Sequence, residues 1–198
     1  MANVDAPKGA IPIRHLDGSP YNGQVTMYLV PDTDATAVFV GDFVKLAGSA
    51  GTAGSFVNGI DVEGMPTIAQ AAAGDTLIGS VVGFLAKQSD LTVKHREAST
   101  ARIALVADQP DLVFEVQEDS VGAALTADEI GENADITVAA GSAVTGVSAM
   151  ELDSSTHVTT TAQLRILKLV KRPDNAIGTN AKWEVFINEH AHKTTSGV

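Results

Sequence analysis

Apolar residues in this chain come in short runs cut by glycine, proline, aspartate and asparagine, and that punctuation limits the folds open to it. The runs Gln24–Val30, Thr36–Val40, Phe43–Ala47, Leu77–Leu85, Ala101–Ala107 and Leu112–Gln117 are rich in Val, Ile, Leu and Phe, with turn-forming residues between them. Runs of this length and composition read as strands. Leu112, Phe114 and Val116 alternate with Val113, Glu115 and Gln117, the period of two that gives a strand one dry face. Ala134–Ala140 and Ala143–Leu152 predict two further strands. Helix signals are thin. Thr126–Ile130 predicts one turn, with Thr126 as N-cap, Asp128 and Glu129 near the positive end and Gly131 as the stop. Ile68–Ala73 predicts another, ended by Gly74. Gly41-Asp42 and Gly74-Asp75 each precede an apolar run; glycine supplies a positive φ there, and the aspartate is expected to bond the backbone two residues on.

Many short strands between turns predict an all-β fold, a β-barrel or β-sandwich (jelly-roll-like). Hydrophobic residues make up 44% of the chain and aromatics only 5%, so the core is expected to be aliphatic and β-branched. Residues 1–23 are interrupted by Pro7, Gly9, Pro12, Gly18, Pro20 and Gly23, which predicts an extended N-terminal arm rather than a regular element. Its apolar residues Ile11, Ile13, Leu16 and Tyr21 are candidate partner contacts; a disordered terminus is the competing reading. The expected division is an arm at 1–23, a β domain at 24–190 and a flexible tail at 191–198. Gly48–Gly54 reads as a loop without the Gly-Lys-Ser/Thr ending of a phosphate cradle, and the wider stretch Gly48–Thr67 as a variable surface loop.

The C-terminal block Gln163–Asn188 is the most regular part. Leu164 and Ile166 share one parity while Leu167 and Leu169 share the other, so a bulge or a strand covered on both faces is expected. Trp183, Val185 and Ile187 alternate with Glu184, Phe186 and Asn188, a second strand. Arg172-Pro173-Asp174-Asn175 turns the chain between them, with Asn175 and Gly178 suited to left-handed backbone. Lys171, Arg172, Asn175 and Lys182 in this long loop are candidate contacts between copies.

Charge is placed unevenly in a chain of net −11. Residues 1–100 carry 6 basic and 10 acidic groups, residues 101–162 carry 1 and 11, and residues 163–198 carry 6 and 3. An acidic body argues against wrapping nucleic acid, which needs clustered Lys and Arg. It reads either as a solvated acidic face or as one half of a contact between acidic and basic faces of different copies. The chain has no cysteine, which excludes disulfides and thiolate metal sites. No basic stretch followed by an apolar run opens it, and its longest apolar runs fall far short of a membrane span, so a soluble protein with no membrane partner is expected.

Catalytic signatures are not found. There is no Gly-x-Ser-x-Gly elbow, and of the five histidines His15, His95, His157, His190 and His192, four lie in arm-like, turn-like or terminal sequence, poor scaffolding for a general base. His190 and His192 would share a face if the last strand ran on, but two ligands make a poor metal site. Asp108, Asp111, Glu115, Glu118 and Asp119 are dense enough to hold Ca²⁺ or Mg²⁺, yet no twelve-residue calcium loop accompanies them, and solvated carboxylates fit better. No catalytic, cofactor or metal residue is assigned.

The stretches HLDGSPYNG (His15–Gly23), EASTARIALVADQPDLVFEVQEDS (Glu97–Ser120) and ELDSSTHVTTTAQLRILKLVKRPDNAIGTNAKWEVFIN (Glu151–Asn188) resemble the head decoration, or cement, proteins of tailed bacteriophages. That resemblance implies a β-barrel or β-sandwich protein outside the capsid, commonly trimeric, which clamps neighbouring major capsid subunits. It implies no catalytic residues and no cofactor. The partners would be the major capsid protein and further copies of the chain, and the site of action the virion exterior after synthesis in the host bacterial cytoplasm. The alternatives are another virion component (a minor coat or tail-tube protein) or a carbohydrate-binding or hydrolytic module, with Trp183 or the Asp108–Asp119 carboxylates as its candidate residues.

Overall fold

The computed structural model describes residues 3–193. In chain order its strands are β1 (Ile11–His15), β2 (Thr26–Val30), β3 (Phe43–Ala50), β4 (Phe56–Val57), β5 (Ile60–Asp61), β6 (Pro66–Gln70) and β7 (Gly79–Phe84). Then follow β8 (Arg102–Ala107), β9 (Leu112–Gln117), β10 (Asn133–Ala134), β11 (Ile136–Thr137), β12 (Glu151–Leu152), β13 (Leu164–Leu169) and β14 (Lys182–Ile187). A 3₁₀ turn at Ser154–Thr156, capped by Asp153, is the only helical element among the described residues. The fold is all-β.

It has two main parts. Strands β2-β6-β3-β7-β8 close into a barrel, with β2–β6 the parallel pair. Val30, Val44, Ile68, Ile78, Val81 and Val106 pack in the barrel's own cluster and exclude water entirely. Strands β1-β9-β14-β13-β10 form an antiparallel sheet. Its inner face is the alternating set read from the sequence: Phe114 and Val116 on β9, Trp183, Val185 and Ile187 on β14, Leu164 and Ile166 on β13. That face shares one core with Phe43 and Ala107 of the barrel wall and with Leu77, just ahead of β7. Phe43 meets Phe114 edge to face at 5.5 Å, a favoured aromatic arrangement that ties the two parts together. The expected bulge in β13 is present, between Ile166 and Lys168.

Several expectations are corrected. The predicted arm is not free of the body: Ile11–His15 pairs with Leu112–Glu115 as the edge strand of the sheet. The crossing is tight because glycine meets glycine. A Cβ on Gly9 (φ +67) would sit 2.2 Å from the Gly41 carbonyl oxygen, and one on Gly41 (φ +96) 2.2 Å from that of Lys8. The Ala10 amide donates to the Gly41 carbonyl at 2.8 Å. Prolines kept residues 11–15 from reading as a strand, but β1 lies at the sheet's edge, where proline is tolerated. Ile68–Ala73 is not helical; its first half belongs to β6, because pairing with both β3 and β2 outweighs a weak local preference. Thr36–Val40 makes only isolated bridges, at Val38–Arg96 and Val40–Val147. Ala134–Ala140 splits into β10 and β11, and Ala143–Leu152 contributes only its last two residues as β12.

Thr126–Ile130 is a turn, closed by the Glu129 carboxylate, which accepts from the Thr126 amide (2.6 Å) and hydroxyl (2.8 Å). Gly48–Thr67 is ordered: β4 and β5 form a hairpin through Asn58 (φ +52) and Gly59 (φ +77), both left-handed as a two-residue hairpin turn demands. Asp42 and Asp75 bond backwards rather than forwards, accepting from the amides of Phe39 and Ala72, three residues earlier. At the C-terminal end, the Ala191 amide donates to the Leu77 carbonyl, so the expected tail is anchored at its start; residues 194–198 lie outside the described residues.

Two arginines fix the loops around the barrel. Arg96 is fully buried, and its guanidinium donates to the carbonyls of Thr36 (2.5 Å), Asp34 (2.7 Å), Thr100 (2.7 Å) and Pro31. Arg102 donates to Leu85, Val93 and His95 carbonyls and stacks over Phe84 at 5.1 Å. Five fixed N–H donors make guanidinium suited to closing loops in this way.

Candidate interaction surface

The face of the sheet turned away from the barrel gathers Arg14, Arg165, Lys168 and Arg172. Strand parity puts Glu184 and Phe186 of β14, Glu115 and Gln117 of β9, and Arg165 and Lys168 of β13 on it. Glu184 stands directly opposite Glu115 in register. Two like charges in that position repel, and cations from three directions compensate. Arg14 donates from Nε (3.0 Å) and Nη2 (2.7 Å) to Glu184 Oε2, while Lys168 Nζ lies 3.3 Å from Oε1. Arg172 grips Glu115 with two nitrogens, Nη1 at 3.0 Å and Nη2 at 2.9 Å. At one end of the face Arg165 and Lys193 flank the Phe186 ring, 5.9 and 6.0 Å from its centroid. Their hydrogen bonds go to neutral acceptors, Asn133 Oδ1 and the Pro110 carbonyl.

At the other end is a cleft of about 190 Å³ walled by Lys8, Ile11, Glu115, Gln117, Arg172 and Lys182. Of the candidate contacts read from the sequence, Ile11, Arg172 and Lys182 therefore meet in one place although they come from the N-terminal strand and the late loop. Ile11 and Leu16 are exposed (39% and 43%). Ile13 is half-buried, and Tyr21 packs against the shared core. Lys171 is exposed, outside the cleft lining. Asn175 is not a free contact and does not take a left-handed backbone: its amide nitrogen donates to the Val170 and Lys182 carbonyls, and its oxygen accepts the Lys182 amide, so it closes the loop from within. The left-handed positions are Gly178 and Asn180. Asn3 braces the same loop, donating to the carbonyls of Ala176 and Thr179 at 2.8 Å each.

Gln117 links this cleft to an acidic site. Its oxygen accepts the Ala6 amide, and its nitrogen donates to both Asp5 Oδ1 and Glu151 Oε1, each at 3.0 Å. Burial pushes the Glu151 carboxyl up to about 7, and the charges of Asp5 and Asp119 add to that. Glu118, fully buried, accepts from the Leu125 amide and from Trp183 Nε1; burial raises its carboxyl too, against those bonds.

The dense carboxylates of 108–119 are dispersed among separate partners: Asp108 accepts from Tyr28, Asp111 pairs with His15, Glu115 with Arg172, and Asp119 caps Val121 and Ser154. Among the described residues no group of three or more His, Cys, Asp or Glu is placed to hold a metal. His190 is buried between barrel and sheet, and burial pushes its imidazole down to about 4. His95 stacks on Phe39 at 4.8 Å, and His157 pairs with Glu132. Trp183 is wholly buried, so it offers no platform to a sugar ring.

Sequence reasoning missed Arg14, Arg165, Lys168, Glu184 and Lys193 as members of one face. The parity of β14 already put Glu184 opposite to Trp183; what lay out of reach was the pairing with β9 and β1. Among the described residues no helix is long and apolar enough to cross a membrane. No protein-family model matches the chain, and neither the curated proteins nor the solved structures compared with it yield a match.

Proposed function

We propose that this chain is a virion structural protein that binds the outside of a tailed-phage capsid shell and stabilises it by clamping neighbouring major capsid subunits. The observation that carries the reading is the open sheet, whose outer face bears a mixed array of charges and is backed by a closed barrel. The stretches that carry the resemblance, His15–Gly23, Glu97–Ser120 and Glu151–Asn188, contain the end of β1 and all of β9, β13 and β14 of that sheet, together with β8 of the barrel and β12. The resemblance therefore reaches both parts of the fold, while the open sheet is the part left free to dock. A stiff barrel backing the sheet suits a clamp, since a rigid binder loses little entropy on docking. Many copies on a symmetric shell let modest contacts sum.

The test is attachment. Purified protein added to mature, expanded shells of its own phage should co-sediment with them and raise the temperature at which they break. Absence of binding to those shells sinks the reading; stacked rings of the protein alone in electron micrographs would favour a tail-tube role.

A further inference from the structure

We infer that the cationic face of the sheet is a docking surface for the acidic turn Thr126–Glu132 of a second copy of this chain. The inference rests on the assembly role proposed above and names the surfaces that meet.

The charge segregation is steep. Seven of the 13 Lys and Arg residues line this face or its cleft, against Glu115 and Glu184 within it and Asp5, Glu151 and Asp174 at its margin. Six cations and 19 carboxyls remain for the rest of the chain. Within the face, Arg14, Lys168 and Arg172 are used by the two glutamates. Lys8, Arg165, Lys182 and Lys193 reach no carboxylate within ion-pair distance among the described residues. Four uncompensated cations on one face of an acidic protein attract an acidic partner and orient it.

The complement is on the same chain. The turn carries Asp128, Glu129 and Glu132 around Ile130, which is 43% exposed. None of the three carboxylates pairs with a Lys or Arg among the described residues. The turn is held in shape by Thr126 and Glu129, and it is fastened to the sheet where the Gly131 amide donates to the Ile166 carbonyl at 2.9 Å. It thus sits beside β13, while Lys8 and Lys182 lie at the β1–β9–β14 end. Contact between unlike patches is heterologous, which generates a ring when the rotation closes and a chain when it does not.

The experiment measures self-association of the full chain by sedimentation, without shells, so that its result is separate from shell binding. Raising salt from about 0.05 M to about 0.3 M should weaken association at least tenfold through screening. Lys8→Glu with Lys182→Glu and Lys193→Glu should weaken it similarly, as should Asp128→Lys with Glu132→Lys. Combining both sets should restore it, which repulsion or misfolding would not do. The neutral variants Lys182→Gln and Lys193→Gln, with unchanged melting temperature, control for folding. A chain that stays monomeric at all salts, association indifferent to both sets, or no recovery in the combined variant overturns the inference. So does a basic-face variant that self-associates normally but loses binding to a single-stranded oligonucleotide, which would assign the face to phosphate instead.

Discussion

The barrel and the sheet are made from the same aliphatic vocabulary, yet they leave very different surfaces. In the barrel every strand has two neighbours, so its backbone donors and acceptors are consumed internally and no edge is offered. Its buried cations, Arg96 and Arg102, are spent on loop carbonyls. The sheet is open. It has an edge at β1, an edge at β10, and an outer face whose charges are only partly matched. Closure gives the chain a rigid body, and the unclosed element is where recognition can occur. Surface charge counted over the whole chain hides this, because a net of −11 says nothing about one face.

The strongest way to break the comparison is Arg96→Ala. Four carbonyls would lose their donor inside the barrel's loops, at a cost of about 3 kcal/mol or more. The urea midpoint should fall steeply with little change in slope; a loss below about 1 kcal/mol would mean the barrel does not depend on its buried cation. Gly9→Ala comes next. It places a methyl against the Gly41 carbonyl at a left-handed position, and about 1–3 kcal/mol should be lost. A neutral result would return residues 1–23 to the status of a detachable arm. Deleting that segment should likewise harm folding, since it strips the edge from β9.

The smallest effect is a pH dependence with two opposed parts. The folded Glu151 carboxyl, at about 7, keeps its proton while the unfolded chain loses it above its ordinary 4.5. Its contribution is therefore complete below about 4.5 and is lost as pH rises to about 7. His190, at about 4 in the fold against an ordinary 6.5, works the other way: its contribution is present above 6.5 and is lost as pH falls towards 4. Between 4.5 and 6.5 the two slopes offset. Glu151→Gln should uncover the His190 slope, so that stability rises with pH across that window, and should add on the order of 1 kcal/mol at pH 8 after allowance for solvent screening. Urea midpoints at three pH values check this; a profile unchanged by the substitution removes Glu151 from the account.

Local physics made much of this legible in the sequence. Alternation over 112–117 and 183–187 identified the inner face of two strands, and the parity change at Leu167 narrowed β13 to a bulge or a doubly covered strand, because side-chain direction in a strand depends only on the count of residues. The same count was silent on which strand lies beside which. Glu184 opposite Glu115, Arg14 bonded across 170 residues of sequence, and Lys8 brought to Lys182 are all products of strand pairing. Residues 11–15 read as arm because proline and glycine speak locally, whereas their place at the sheet edge depends on the glycine-to-glycine crossing at 9 and 41. Gln70 and Ile68 went to a strand for a similar reason: pairing on both sides of β6 supplies hydrogen bonds that no isolated segment can weigh. What the sequence by itself determined was the class of fold and the direction of individual side chains, both set by neighbours a few residues away. Only the tertiary structure decided the cationic face, since electrostatic partners are chosen by distance in space.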